Sequence, residues 1–301
     1  MSRPNPSLIW WRRRREWTIE SLLCLAAVSS VLITAGIVGI LMVESARFFQ
    51  VVSLGDFLTD TMWTPLFEPP RYGIMSLLSG TLVTTAVALA VAMPAGTIIA
   101  AYLSEFAPHR VRECVKPVLE LLSAVPTVVF GYFALLFVAP LLQKIMPNLP
   151  TFNMLSAGIV MGIMIIPYIS SLSEDAMRAV PMILREGAYG LGANRVITVF
   201  RVVFPAAFSG IVASYVLAIS RAIGETMIVA IAAGQQPNLT LNPTEPAATV
   251  TAFIVQVCLG DLPHDSIGYK SIFAAGFTLF LMTLGFNIIG HLMRRRFREA
   301  Y

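Results

Sequence analysis

Six apolar stretches alternate with shorter charged ones along the 301 residues, at roughly 19–43, 77–102, 118–142, 154–172, 208–233 and 272–293. A helix of about 20 residues crosses the hydrocarbon of a bilayer, and each stretch is of that order. Lipid offers backbone groups no partners, so each stretch is expected to be a helix. The pattern therefore predicts an all-α, polytopic membrane protein with six crossings. The first stretch follows the arginines at 12–15 as a signal-peptide core would. It is too long for one and no A-x-A site follows, so it reads as a retained anchor. Pro94, Pro126 and Pro167 fall inside crossings, where each can kink a helix or free a carbonyl.

Two connections stand out. The loop 235–271 is rich in turn residues, but its piece 247–259 is apolar and too short to span. It predicts a helix packed at the surface or dipping into the membrane. In the loop 174–205, Met177, Val180, Ile183, Leu184 and Ala188 have roughly helical spacing, Gly190 and Gly192 provide a break, and Val196, Val199, Phe200 and Val203 share one face of a second helix before Pro205. Helix–glycine–helix is the shape of a knob for a partner's groove, or of a connector lying on the membrane; the pattern leaves both open.

Composition sharpens this picture. Hydrophobic residues make up 56% and charged residues only 13%, about half the usual charged share of a soluble domain. Placing the N-terminus in the cytoplasm puts Arg3, the arginines at 12–15, Arg110, Arg112, Lys116, Arg178, Arg185, Arg195, Arg201, Arg294, Arg295, Arg296 and Arg298 inside. Only Arg47, Arg71, Lys144 and Lys270 then lie outside. This positive-inside bias predicts both termini in the cytoplasm. It divides the chain into a basic N-terminus (1–18), a first membrane helix (19–43), a transmembrane domain (77–293) with a cytoplasmic loop (174–205), and a basic tail (294–301). Trp10, Trp11, Trp17 and Tyr301 flank the end segments as interfacial anchors would.

The same residues exclude several functions. The net charge of +4 is spread over segment ends, which argues against nucleic acid as a partner. Cys24, Cys114 and Cys258 have no metal-type spacing and fall at different expected depths, so neither a metal site nor a disulfide is expected. There is no Gly-Lys dipeptide and hence no Walker A loop, no HExxH and no Ser/His/Asp grouping. No catalytic residue is expected in this chain, and any ATP would be hydrolysed by another subunit.

Arg221 and Glu225 lie within the otherwise uncharged stretch 206–234. A charge at the bilayer centre costs roughly 2.5–3.5 kcal/mol on the mildest scale. On a continuous helix residues four apart share a face, here with Ser214, Leu217, Ala218 and Gly224, and predict an intrahelical ion pair. Such a pair can serve a polar path, or merely fix helix register or pairing with a partner.

Two motifs carry a resemblance. Glu186, Gly187, Ala188, Gly192, Val202, Phe204 and Pro205 match the spacing E-A-A-x3-G-x9-I-x-L-P, with Gly, Val and Phe as substitutions, and resemble the EAA motif of ABC importer permeases. The segment SRAIGETM (220–227) resembles the R-A-x-G-E-T segment of phosphate-specific ABC transporter permeases. YGIMSLLSGTLVTT (72–85), AAYLSEFAP (100–108) and VPTVVFGYFALLFVAPLL (125–142) extend the likeness, as do AAGQQPNL and GDLPHDSI, toward the PstC type.

The resemblance implies a type I ABC importer permease fold that forms half of a phosphate path. A second, PstA-like permease would supply the other half. Two PstB-like subunits would bind ATP and Mg, and a PstS-like extracytoplasmic protein would deliver phosphate to the outer loops 44–76 and 235–271. It implies docking of the ATPase through Arg185, Glu186, Gly187, Ala188, Gly192 and Pro205. It implies a substrate path at Arg221 and Glu225, with Ser220 and Thr226 as flanking hydroxyls. The guanidinium fork suits phosphate oxygens, and a carboxylate that accepts from a protonated phosphate disfavours sulfate. The alternatives are an ABC permease for another oxyanion (phosphonate, sulfate or molybdate) and a standalone secondary anion transporter, which would leave the EAA spacing unexplained.

Overall fold

The computed structural model describes residues 6–65 and 67–296, with 6–14, 294 and 296 described in backbone alone. Arg3, Arg298 and Tyr301 lie outside the described residues, as do the side chains of Trp10, Trp11 and the arginines at 12–14, 294 and 296. Among the described residues the structure is helical, apart from one antiparallel bridge between Trp63 and Tyr72.

In chain order the helices are α1 (Pro6–Phe49), α2 (Leu54–Thr59), α3 (Met75–Ala101), α4 (His109–Ala124), α5 (Thr127–Phe133), α6 (Ala139–Gln143) and α7 (Met154–Arg178). They continue with α8 (Met182–Gly190), α9 (Arg195–Thr198), α10 (Phe204–Ala206), α11 (Phe208–Ile223), α12 (Met227–Ala232), α13 (Val250–Cys258) and α14 (Ile267–Arg296). Three π turns are inserted, at Tyr102–Phe106, Ala134–Val138 and Val199–Val203. Each ends two residues before a proline, at Pro108, Pro140 and Pro205. Proline lacks an N–H and its ring crowds the carbonyl four residues back, and widening the turn relieves that crowding.

Among the described residues, five helices are long and apolar enough to cross a membrane: Arg15–Phe49, Met75–Phe106, Met154–Arg178, Arg195–Ile223 and Ile267–Met293. A sixth crossing is made if His109–Ala124 and Thr127–Gln143 count together across a bend of 88°. The third predicted crossing, 118–142, is therefore not one straight helix. Pro126 caps the start of α5, and α4 carries Arg112, Lys116 and Glu120 on an amphipathic surface. The fifth also differs: its helix starts at Arg195, well inside the predicted loop, and stops at Ile223.

The centre of the fold is the pairing of α3 with α7. Gly158 and Gly162, one turn apart on α7, let the helices meet closely. A Cβ at 158 would stand 2.6 Å from Val87, and one at 162 would stand 2.7 Å from the Ala88 carbonyl. Small residues of this kind replace the hydrophobic drive that lipid cannot supply. Around the pair, Met154, Met161, Met164, Ile165, Ala218, Ala222, Ile228 and Val229 form the main core.

Each end is closed by a second cluster. At the 235–271 end, Phe48, Phe57, Trp63 and Phe253 pack edge to face, with Ile74 and Val257 in the same cluster, and Arg71 pins Asp60 at 2.8 Å. Partial burial alone would raise the Asp60 carboxyl pKa, but the Met62 N–H and Arg71 outweigh it and hold it below the ordinary value. Helix α13 belongs to this cluster and is largely buried, so the apolar piece of that loop is core and not a surface helix. At the 174–205 end, Ala100, Met177, Val180, Val203 and Ile211 close the other side. There the predicted stripe Val196, Val199, Phe200 and Val203 straddles the core edge: Val199 and Val203 are buried, Val196 and Phe200 exposed.

Gly162→Leu is expected to lower both membrane abundance and unfolding temperature in detergent, since overpacking costs about 1–3 kcal/mol. Gly285→Leu, where an added Cβ meets nothing within 4 Å, is the matched control and should leave both unchanged.

Candidate functional site

Arg221 lies in the last turn of α11, facing α7. Its guanidinium carbon sits 4.6 Å from the ring centroid of Tyr168 on α7, a cation–π contact. Its Nε is buried without a hydrogen-bond partner. Arg221 and Glu225 do not form the predicted ion pair. Helix α11 ends at Ile223 and Gly224 caps it, so residue 225 no longer follows Arg221 around one helix.

Glu225 instead serves the break. It is 8% exposed, and its Oε1 accepts from the backbone N–H groups of Met227 and Ile228, at 3.1 and 3.4 Å, where α12 begins. Thr251 of α13 donates to the Glu225 carbonyl at 2.7 Å. The groups freed by the interruption are thus satisfied by neighbouring side chains, the condition under which lipid tolerates a broken helix. Thr226 sits in the break, its hydroxyl 3.3 Å from the Gly224 carbonyl. Ser220 turns toward α14, donating to the Val216 carbonyl at 3.0 Å and meeting Asn287 at 3.5 Å, so its hydroxyl is not grouped with Arg221. Ser214 is buried and bonded to Ser173.

Below Tyr168, between α4 and α7, lies a cavity of about 250 Å³ lined by Lys116, Glu120, Ser123, Tyr168, Ser171 and Glu174, with apolar neighbours. Glu174 has no exposed surface. Arg112 and Lys116 approach it at 3.3 Å and Arg178 at 3.7 Å. These are charge contacts without hydrogen-bond alignment, because both its oxygens lack a hydrogen-bond donor. None of these groups, nor Tyr168, was singled out from the sequence as a site. The usable signal was the polar stripe of α4, which hydropathy averaging hides.

The segment 182–205 is a helix–turn–helix with an exposed apolar surface. Met182, Ile183, Val196, Ile197 and Phe200 are exposed, and Leu191 at its tip is 92% exposed. Gly192 has φ +83°. Its N–H bonds to the Tyr189 carbonyl and that of Ala193 to the Ala188 carbonyl, a Schellman termination that favours glycine at this position. Glu186 and Gly187 are exposed, Ala188 is half-buried, and Pro205 is exposed at the π turn. Arg185 departs from the expected docking set: it is 8% exposed and points into the protein toward Glu105.

Among the described residues no group of three His, Cys, Asp or Glu side chains could hold a metal ion. A family model described as binding-protein-dependent transport system inner membrane component matches residues 92–299. The probable ABC transporter permease protein YqgH of Bacillus subtilis is 32% identical over 296 residues, covering 98% of this chain and 94% of that one. The phosphate transport system permease protein PstC of Haemophilus influenzae is 33% identical over 268 residues, covering 82% of each. PstC 1 of Mycobacterium tuberculosis is 35% identical over 248 residues, covering 75% and 73%.

Among solved structures, a bacterial ABC transporter that imports alginate aligns with a TM-score of 0.66 at 16% identity, over 97% of this chain and 99% of that one. An inward-facing MetNI methionine transporter aligns at 0.56 and 15%, over 75% and 95%. At such identity these two show the fold alone. The fold is that of an ABC importer permease, and the chain belongs to the binding-protein-dependent transport system inner membrane component family: it is a membrane-spanning permease subunit of an ABC importer and not itself an enzyme.

Proposed function

We propose that this subunit forms half of a path for inorganic phosphate, with a second, homologous permease supplying the other half. The observation that carries the reading is Arg221. It is an always-charged guanidinium in a crossing, beside a helix break, with a buried Nε that no group among the described residues satisfies. The PstC relatives, similar over most of the chain, support phosphate as the anion.

In the resting arrangement the face of Tyr168 partly compensates the guanidinium. An arriving phosphate offers it charge-assisted, bidentate hydrogen bonds, which are stronger than a cation–π contact. Glu225 shapes the break, and Thr226 stands beside it as a flanking hydroxyl. Two ATPase subunits, binding ATP and Mg, would dock on 182–205 in the cytoplasm, with both termini of this chain on that side. An extracytoplasmic binding protein would deliver phosphate at the opposite face, on 44–76 and 235–271.

Arg221→Gln should lower phosphate uptake by about 10-fold or more at unchanged membrane abundance, a loss of at least one strong charged hydrogen bond. Sulfate uptake measured alongside tests the anion, and wild-type sulfate transport equal to that of phosphate would sink the phosphate reading. Tyr168→Phe keeps the ring and should transport nearly normally. Tyr168→Leu should change the apparent phosphate affinity by about 2- to 30-fold, the range of a cation–π contact. For docking, Leu191→Glu should abolish co-purification of the ATPase while the permease still reaches the membrane. Undiminished co-purification would remove this surface from the interface.

A further inference from the structure

Arg185 precedes the glutamate of the docking motif, yet its side chain turns away from the docking surface. Its Nη2 donates to Glu105 Oε1 at 2.8 Å, and its Nε meets both Glu105 oxygens, at 3.3 and 3.2 Å. The same fork caps the end of α7, donating to the Met177 carbonyl at 2.8 Å and the Val180 carbonyl at 2.5 Å. One guanidinium thus joins three pieces of chain: α8, the end of α7, and the π turn that extends α3. Glu105 is itself fixed by the Ser104 hydroxyl at 2.9 Å.

Beyond Arg185, α8 is held by the packing of Leu184 against the cluster at the 174–205 end. Among the described residues, every side-chain hydrogen bond from α8 to another element comes from Arg185. A Cβ added at 187, 190 or 192 would meet nothing within 4 Å. Between α7 and α8 the chain leaves the helical conformation at Pro181, the N-cap of α8 (φ −58°, ψ 139°), so no continuous helix couples the two. The helices it grips, α3 and α7, are the pair locked together at Gly158 and Gly162.

We infer that the Arg185 and Glu105 pair is a transmission clamp: it makes α8, α7 and α3 move as one body when a partner displaces α8. The inference rests on reading 182–205 as the ATPase docking segment. Arg185 and Glu105 are positioning residues, needed neither for docking nor for hydrolysis, but for turning displacement of α8 into movement of the membrane helices.

The test uses the complete complex, both permeases with ATPase subunits and binding protein, in proteoliposomes. Import of radiolabelled inorganic phosphate and ATP hydrolysis are measured on the same sample. Glu105→Gln and Arg185→Lys are each expected to retain ATPase co-purification and hydrolysis while phosphate imported per ATP falls by about 5-fold or more, the scale of a lost coupling. An unchanged ratio overturns the clamp. So does an equal fall in hydrolysis and import, which marks simple loss of active complex, and so does loss of co-purification, which would place the pair in docking.

A second readout needs no substrate. With the three native cysteines replaced by serine, spin labels at Gly187→Cys and Leu172→Cys report the distance from α8 to α7. It should be narrow and unmoved by ATP with the clamp intact, and should shift with ATP in Glu105→Gln. A distance that stays narrow and fixed in that variant overturns the inference. Failure of wild type to import phosphate would instead fault the substrate reading, leaving this distance to decide the clamp.

Discussion

Every backbone N–H and C=O in a lipid-facing crossing must find a partner, and side chains supply partners at three departures of this chain from straight helix. At the interruption over 224–226, Glu225 takes the N–H groups of Met227 and Ile228, and Thr251 supplies a donor to the Glu225 carbonyl. At the end of the π turn after α3, Arg112 donates to the Leu103 carbonyl at 2.6 Å. At the end of α7, Arg185 does the same for Met177. The hydroxyls of Ser79, Thr81, Thr84 and Thr97 bond back within their own helix. Polar side chains here mostly serve the backbone, which sets apart the few that do not.

Two charges define the contrast. Glu174 has no exposed surface, but three cations surround it, so its cost is offset by Coulomb attraction in a low-dielectric setting. Among the described residues Arg221 has no such counter-ion. Its counterpart in sequence, Glu225, is consumed by the break, and its neighbour Tyr168 offers a weaker, quadrupolar attraction. On the proposed function, a cation left this way in a crossing is poised for an anion that arrives from outside the chain.

Five of the six crossings were legible because apolar length alone encodes them; the other is made only if α4 and the helices after it count together across a bend of 88°. The interruption in the fifth was not, because 206–234 is almost uniformly apolar and hydropathy does not register a change of direction. The local signal was present in Gly224, Glu225 and Thr226, a helix stop followed by capping side chains, but reading the two charges as an i,i+4 pair presupposed a continuous helix. The amphipathic α4 was merged with α5 for the same reason. Tyr168 and Glu105 were illegible in principle: each matters through a partner 53 or 80 residues away (Arg221 and Arg185), and no local pattern reports such a meeting. The glycine at 192 was legible in its place within the motif, and the structure supplies the reason, a positive φ at the Schellman turn.

The arrangement separates rigid from interrupted parts in a way that bears on mechanism. Helices α3 and α7 are locked side by side, whereas the crossings packed against them, α4 to α6 and α11 to α12, are each broken, near Pro126 and at 224–226. The short helices beyond the two breaks, α5 and α12, pack on each other, with Gly131 against Met227 and Ile231. Tyr168 belongs to the rigid pair and Arg221 to a broken crossing. On the proposed function, a displacement delivered to α7 slides the aromatic face past the guanidinium, changing how well the cation is satisfied by the protein. Its affinity for phosphate then changes in the opposite sense, because a ligand shifts an equilibrium only by its differential affinity for the two states. A cation held by a ring on another helix can be released by such sliding, whereas one held by a carboxylate on its own helix cannot. The interruption that prevents the Arg221 and Glu225 pair from forming is therefore also what makes the cation responsive to movement.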